Sequence, residues 1–167
     1  QSKATVNKYA ASGTAADFKG AIGFDGDNVQ GCDITVPVYK FTETHFKSPA
    51  DVDAAYKTAV MELTGKTNAA TFKGFAAGEV LFLGCAGARK GRHTDDLWEI
   101  TYHFAVSKNR TGITEITGFT IAKNGWDYMW VKYKDDVDGT AKTRIRVPEF
   151  VYVEKVYDAG DFSGLEI

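Results

Sequence analysis

Residues 78–107 read GEVLFLGCAGARKGRHTDDLWEITYHFAVS, and this stretch decides the fold class. Over Trp98–Val106, large apolar side chains alternate with smaller or polar ones. Alternation of this kind is the period of a strand with one packed face and one wet face. The compact apolar run Val80–Leu83 leads into a small-residue basic segment. The stretch therefore predicts two paired strands that carry a long basic loop over Gly84–His93.

The segments on either side predict further short strands separated by turns. Asp33–Phe46 alternates like a strand, and Pro37 places it at a sheet edge or a bulge. Asn124–Gly125 is the strongest hairpin signal in the chain, and it predicts pairing of Phe119–Lys123 with Trp126–Tyr133. Three more segments have strand character: Ile113–Ile121 broken at Gly118, Thr143–Val147 after a turn at Asp135–Gly139, and the doubly apolar Phe150–Val153.

One helix is predicted at about residues 49–64. Ser48 is the expected N-cap, Pro49 the first helical residue, and Gly65 the residue that ends the helix. An apolar stripe with helical spacing follows, formed by Val52, Ala55, Tyr56, Ala59, Val60 and Leu63. A single apolar face is typical of a helix that packs on a sheet.

These patterns predict a mainly β fold with eight to ten strands. The expected architecture is an antiparallel β-sandwich or barrel with one packed helix. Residues 1–19 are polar and lack periodicity, so they are interpreted as an extended N-terminal arm that docks on its own domain or on a neighbouring subunit. Residues 20–167 are expected to form a single domain.

Composition argues against several classes of function. The chain has 167 residues and a net charge of −2, so it lacks the global basic field of nucleic-acid binders. No apolar run approaches a membrane span, and the polar opening is not that of a signal peptide. Cys32 and Cys85 are expected to be free thiols in a reducing compartment, with a disulfide as the alternative.

The basic loop has two interpretations. A phosphate-binding P-loop is excluded because Arg89 stands where its second glycine belongs and Lys90 is followed by Gly91. The loop is then either a solvated hairpin tip or a contact loop that pairs with carboxylates of an adjoining subunit. The candidate contact residues in the loop are Arg89, Lys90, Arg92 and His93.

A group of aromatic residues has two interpretations as well. Trp126, Tyr128 and Trp130 are expected on one face of a strand, with Tyr133 close by. Core or subunit-interface packing is the favoured role, which makes Trp126 and Trp130 candidate subunit contacts. A stacking platform for sugars or bases is the alternative.

Residues with catalytic chemistry are sparse. Glu99, Thr101 and His103 share the predicted wet face of one strand, but their spacing supplies neither converging metal ligands nor an activated nucleophile. The sequence therefore predicts a protein that is not an enzyme and that uses no cofactor or metal. An acid–base hydrolase using Glu79, Glu99 or His103 is the weakest alternative.

Four phrases resemble a family of bacteriophage and prophage structural proteins. They are 77–84 (AGEVLFLG), 98–104 (WEITYHF), 125–131 (GWDYMWV) and 156–162 (VYDAGDF), and the likeness spans about residues 20–167. A β-sandwich with one helix, a polar arm and a long hairpin loop also looks like a phage tail-tube subunit. No phrase carries chemistry, so the resemblance implies no site residue.

The leading expectation for function is a self-assembling virion protein, first a tail-tube subunit, then a neck or tail-terminator ring, then a decoration protein. Copies of the chain and other virion proteins would be its partners, with DNA passing through without sequence-specific binding and no membrane contact. Assembly would take place in the host cytoplasm. The alternative is a small-ligand or carbohydrate-binding β-sandwich that uses the Trp126–Tyr133 aromatics.

Overall fold

A computed structural model describes residues 6–10, 24–25, 28–29 and 38–167. Contacts group the chain into two compact units, 1–36 with 110–156, and 37–109 with 157–167. The elements in chain order are β1 (Val6–Ala10), β2 (Phe24–Asp25), β3 (Asn28–Val29), β4 (Tyr39–Lys47), α1 (Ala54–Leu63), β5 (Thr67–Asn68), β6 (Val80–Arg89), β7 (Trp98–Val106), β8 (Arg110–Ile113), β9 (Ile121–Lys123), β10 (Tyr128–Val137), β11 (Arg144–Glu154), β12 (Ala159–Gly160) and a 3-10 helix, η1 (Phe162–Leu165).

The hairpin predicted from residues 78–107 is the centre of a five-stranded sheet. Its strand order is β12-β5-β6-β7-β4, and β6 pairs antiparallel with β7 from Val80↔Val106 to Arg89↔Trp98. The register shifts between Phe82 and Gly84. Gly84 has a φ of +105°, a conformation that favours glycine, so this residue suits the bulge.

The long loop predicted over Gly84–His93 is wrong. Strand β6 continues to Arg89, and the Lys90 N–H donates to the Leu97 carbonyl at 2.9 Å, so the ladder extends to the tip. The small side chains of Cys85–Ala88 pair with β7 as readily as larger ones, because the ladder is made by the backbone. Only residues 91–96 remain as the turn.

Alternation along β7 sorts its side chains as predicted. Ile100, Tyr102 and Phe104 are buried in the core between the sheet and α1, while Glu99, Thr101 and His103 take the opposite face. The rest of this core comes from α1, from the start of β6 and from the chain's last residues: Tyr56, Val60, Leu63, Val80, Phe82, Phe162 and Leu165. Ile167, near the end of the described chain, is partly buried against this cluster.

The helix begins later than predicted. Ser48 forms a local turn, in which its hydroxyl donates to Asp51 Oδ2 at 2.8 Å and its carbonyl accepts from the Asp51 N–H. Asp53 is the N-cap instead, and its Oδ1 accepts from the Tyr56 N–H at 2.8 Å. The prediction of Gly65 after the helix is confirmed, since it follows the C-cap Thr64 with a φ of +81°.

The other unit contains a three-stranded antiparallel sheet in the order β1-β11-β10. Strand β11 is central, which confirms the prediction from the doubly apolar Phe150–Val153. On one face Val151 and Val153 pack against Ile113, Phe119 and Ile121, from the segment that holds the β8–β9 pair. On the other face Trp130, Phe150 and Tyr152 form a separate cluster.

The hairpin predicted at Asn124–Gly125 does not form. Residues 124–127 do make a tight turn, closed by the Asp127 N–H to the Asn124 carbonyl at 3.1 Å. The strands on its two sides, however, join different sheets, because β9 pairs with β8 and β10 pairs with β11. The return of the chain after β10 is confirmed, but the turn comes later than the predicted Asp135–Gly139, because β10 continues to Val137, which pairs with Arg144 at the start of β11.

The mainly β fold with one packed helix is confirmed, and the described strands form open sheets instead of a closed barrel. Part of the predicted arm, Val6–Ala10, is β1 and pairs with β11 of its own chain. The remainder of residues 1–19 lies outside the described residues. A single domain over residues 20–167 stays a prediction, since each of the two units has a core of its own.

Candidate functional site

The tip of the β6–β7 hairpin is exposed, as predicted, but its basic residues have different surroundings. Lys90 Nζ lies 2.5 Å from Glu99 Oε2 on the outer face of the sheet. The His93 N–H donates to Asp96 Oδ2 at 2.7 Å, which closes the turn. Arg92 is exposed and makes no ion pair with any residue that the structure describes. Their predicted contact with a neighbouring subunit stays a prediction.

Arg89 lies on the other face of the hairpin, beside a cleft between α1, β6 and β7. Its guanidinium carbon is 5.6 Å from the centre of the Trp98 ring, and Lys57 Nζ on α1 is 5.5 Å from the same ring. The cleft has a volume of about 160 Å³ and is lined by Val52, Tyr56, Lys57, Val60, Cys85, Gly87, Trp98 and Ile100. It is therefore an apolar depression with two cations at its rim.

A free thiol lies in this cleft. Cys85 makes no disulfide, and burial raises the pKa of its thiol. The thiol is therefore a poor nucleophile at neutral pH. Cys32 lies outside the described residues.

The stacking platform, which was the alternative interpretation of residues 126–133, is not formed, and the favoured core packing is found for Trp130. Trp130 is only 9% exposed, and its ring stacks on Tyr152 with centroids 4.1 Å apart. Trp126 lies in the turn before β10 and is half-buried, so it does not share a strand face with Tyr128. Subunit contact stays a prediction for both tryptophans, but the Trp130 side chain presents little surface to a neighbour.

A buried glutamate next to Trp130 escaped the sequence analysis. Glu154 ends β11 and is 3% exposed. Burial raises the pKa of this carboxyl, and the indole N–H of Trp130, which favours the ionised form, opposes the shift only in part. A glutamate at the end of an apolar strand carries no sequence signal of burial, because charged residues also terminate exposed strands.

We predict that Glu154→Gln removes a pH dependence of stability. A folded-state pKa above the unfolded one means that the folded state binds the proton more tightly. Stability from this group is therefore complete below the unfolded pKa, about 4.3, and is lost as pH rises through the raised folded value. In urea unfolding between pH 4 and 8, the free energy of unfolding of the glutamine variant, relative to that of the parent, should increase as the pH rises.

The matched control for that experiment is Glu149→Gln in the same strand, where the carboxylate lies 3.0 Å from Lys132 Nζ. A gain with pH that is as large in the control as at position 154 would contradict the prediction.

A second charged group missed by the sequence analysis lies on strand β4. Glu43 Oε2 accepts from Lys73 Nζ at 2.9 Å and from His45 Nε2 at 3.1 Å. The Lys73 ammonium, the largest influence, together with His45 lowers the pKa of Glu43. Lys73 comes from a turn that is 30 residues away along the chain, so only the tertiary structure brings it to Glu43. The group fastens that turn to β4.

The residues proposed for a hydrolase do not converge. Glu99 and His103 are four positions apart on one strand, a separation of about 13 Å at 3.3 Å per residue. The Glu79 carboxylate accepts hydrogen bonds from the Ala76 and Asn109 N–H groups. These bonds give it a structural role just before β6. The part of the chain that the structure describes contains no group of three His, Cys, Asp or Glu residues fit to hold a metal ion.

Two backbone edges of the five-stranded sheet have no partner strand among the described residues. Among the described strands, β4 pairs only with β7, along the whole of Tyr39–Lys47. On the opposite side, β5 pairs with β6 only at Leu81, so Cys85–Arg89 has a described strand partner on one side only. Each edge presents backbone donors and acceptors to whatever strand approaches it.

No helix in the described residues has the length and apolar character needed to cross a membrane. Comparison with known proteins finds no matching family model, no matching curated protein and no matching solved structure.

Proposed function

We propose that this protein is a self-assembling structural subunit of a virion, a phage tail-tube subunit first and a neck or tail-terminator ring second. The observation that carries the proposal is that, among the described strands, β4 and the Cys85–Arg89 part of β6 each pair on one side only, on opposite sides of one sheet. When one edge of a copy pairs with the other edge of the next, the contact is head-to-tail. Contacts of this kind close into rings or continue as helical tubes.

The β4 edge lacks features that usually prevent strand pairing between copies of a monomeric protein. Monomers block their edges with proline, bulges or short strands. Strand β4 has nine residues, contains no proline, and keeps a continuous register with β7. Tyr39 and Phe46 at its two ends are more than half exposed. A long, regular edge with exposed aromatic ends suits pairing with another copy.

Charge and resemblance support the same function. A net charge of −2 lets copies pack closely without strong repulsion and without gripping DNA that passes through the assembly. The likeness to phage and prophage structural proteins gives the virion as the location, with other virion proteins as further partners. The proposed role needs neither catalysis nor a cofactor.

The alternative of a carbohydrate- or small-ligand-binding module has less support. It depended on a face of stacked aromatics around residues 126–133, and the Trp130 ring is buried against Tyr152. No described feature favours it over assembly.

The test is to place lysines on the β4 edge. Thr42 and Thr44 are exposed on the outer sheet face, away from the core. The double variant Thr42→Lys/Thr44→Lys should keep the fold but lower the association constant at least about tenfold, because lysines on an edge strand oppose pairing. Light scattering coupled to size exclusion measures association, and electron microscopy of the parent protein should show rings or tubes.

A control with the same two added charges is Thr58→Lys/Thr120→Lys, at exposed positions outside both edges. It should associate like the parent. A parent protein that stays monomeric at millimolar concentration and shows no rings or tubes would refute the proposed function.

A further inference from the structure

The two strands that form the edges of the five-stranded sheet run in the same direction. Strands β4 and β6 both pair antiparallel with β7, so they are parallel to each other. Copies in a ring or tube are related by a modest rotation, which keeps the strand direction and turns the same sheet face outward in every copy. The Cys85–Arg89 edge of one copy would therefore meet β4 of the next as a parallel pair.

Side-chain alternation restricts the register of such a pair. Cys85, Gly87 and Arg89 lie opposite residues of β7 that face the core, so these three belong to the core-side face of the sheet. The core-side residues of β4 are identified in the same way and are Tyr39, Phe41, Glu43, His45 and Lys47. A shift by one residue would put opposite faces together, so only shifts by two residues keep the faces matched.

Three registers match the faces and pair all five residues of the 85–89 edge with β4. They place Arg89 beside Glu43, His45 or Lys47. Glu43 is the single acid of β4, whereas Lys47 carries the same charge as Arg89 and His45 has no negative charge. Opposite charges on neighbouring strands stabilise their pairing, and like charges destabilise it. Charge therefore selects the register in which Arg89 lies beside Glu43.

Both groups have free capacity for this contact. Glu43 Oε2 accepts from Lys73 Nζ and His45 Nε2, whereas its Oε1 accepts no hydrogen bond from the described residues. The Glu43 side chain is 28% exposed. Arg89 is exposed, and within the described residues it contacts the Trp98 ring without an ion pair. A guanidinium can stack on an aromatic ring and still donate to a carboxylate.

We propose that Arg89 of one copy forms an ion pair with Glu43 of the next copy and thereby fixes a parallel β6–β4 pair between them. In this register residues 39–43 lie beside residues 85–89 in the same order. The two surfaces are different, so the contact is heterologous and repeats from copy to copy. This inference rests on the proposed self-assembly and names the residues that set its geometry.

Cysteine trapping tests the register. Thr42 and Ala88 are exposed on the outer sheet face and would be neighbours in the proposed pair, whereas β7 separates their strands within one chain. Neighbouring strands are about 4.8 Å apart, and a disulfide needs Cα atoms about 4.4–6.8 Å apart. With Cys32 and Cys85 replaced by serine, oxidation of Thr42→Cys/Ala88→Cys should therefore produce a ladder of disulfide-linked copies on a non-reducing gel.

The matched control is Thr44→Cys/Ala88→Cys in the same serine background. It moves one cysteine by two residues, about 6.6 Å along the strand, which puts the Cα atoms beyond disulfide distance. This control should cross-link at least about tenfold more slowly. Cross-linking of the control that is as fast as that of the test pair, or faster, would overturn the register.

A double-mutant cycle tests the ion pair itself. Arg89→Gln and Glu43→Gln should each lower the association constant, measured by light scattering, at least about fivefold. The combined variant should lose no more than the weaker single variant, because its second change removes a partner that is already lost. If the two losses multiply instead, the groups act independently and the pair is wrong. Arg92→Gln, which removes the same charge in the exposed turn of the same hairpin, should associate like the parent.

The outcomes separate this inference from the proposed function. If the parent associates and the β4 lysines weaken association, while the control cysteines cross-link faster or the two losses multiply, then edge pairing stands and the Arg89–Glu43 contact is wrong. If the parent protein does not associate at all, both proposals are wrong.

Discussion

Replacing Phe104 by alanine is expected to lower the free energy of unfolding by about 3–5 kcal/mol, because a fully buried aromatic ring leaves a cavity that its neighbours fill only in part. Phe104 is 0% exposed. Its ring lies 4.9 Å from that of Phe41, 5.3 Å from Phe82 and 5.4 Å from Phe72, centroid to centroid. The loss should be measured by urea unfolding of both proteins at one pH.

Met61→Ala is the control, since this side chain is 68% exposed on helix α1. Its cost should stay within about 0.5 kcal/mol, the usual range of surface substitutions. Equal losses at positions 104 and 61 would mean that the cluster around Phe104 is not the core of its unit.

Replacing Asn68 by alanine is expected to cost about 2–4 kcal/mol, because a buried donor or acceptor left without a partner costs about 1–3 kcal/mol. Asn68 is 1% exposed. Its Nδ2 donates to the carbonyls of Ala70 and Ala76 at 2.7 and 2.8 Å, and its Oδ1 accepts from the Val80 N–H at 2.8 Å. One side chain therefore holds the loop 70–76 against the first residue of β6.

Asn68→Asp separates the acceptor from the donors. The aspartate keeps an oxygen for the Val80 N–H but sets a carboxylate against two carbonyls, so its stability should improve as pH falls and the acid protonates. Asn124→Ala, at an exposed turn position, is the control and should cost no more than about 0.5 kcal/mol. If Asn68→Ala lowers the free energy of unfolding no more than this control does, the three hydrogen bonds do not contribute to stability.

Local sequence patterns predicted the structure correctly where one physical rule dominated. The alternation over Trp98–Val106 predicted the two faces of β7 correctly, because neighbouring side chains of a strand must point to opposite sides. The doubly apolar Phe150–Val153 predicted a central strand correctly, because a strand that is covered on both faces, as β11 is, needs apolar side chains on both. Gly65 ended the helix because its φ of +81° is accessible to glycine.

The errors came where several local solutions compete. Ser48 and Asp53 are both good caps, and the Ser48 hydroxyl is engaged by Asp51 in a turn, so the helix starts five residues later. The Asn124–Gly125 turn forms, but a turn alone does not determine which strands pair. Strand β10 pairs with β11, and β9 pairs with β8. Of the candidate site residues, only Arg89 lies at the cleft.

The sequence by itself determined the mainly β class, the central hairpin and the facing of its side chains, since these follow from backbone periodicity over neighbouring residues. Only the tertiary structure reveals which described strands pair on one side, that Lys73 contacts Glu43, that Glu154 and Trp130 are buried, and that Lys57 and Arg89 contact the same tryptophan ring. Those features join residues far apart along the chain, and their energies depend on burial and distance, which no local pattern records.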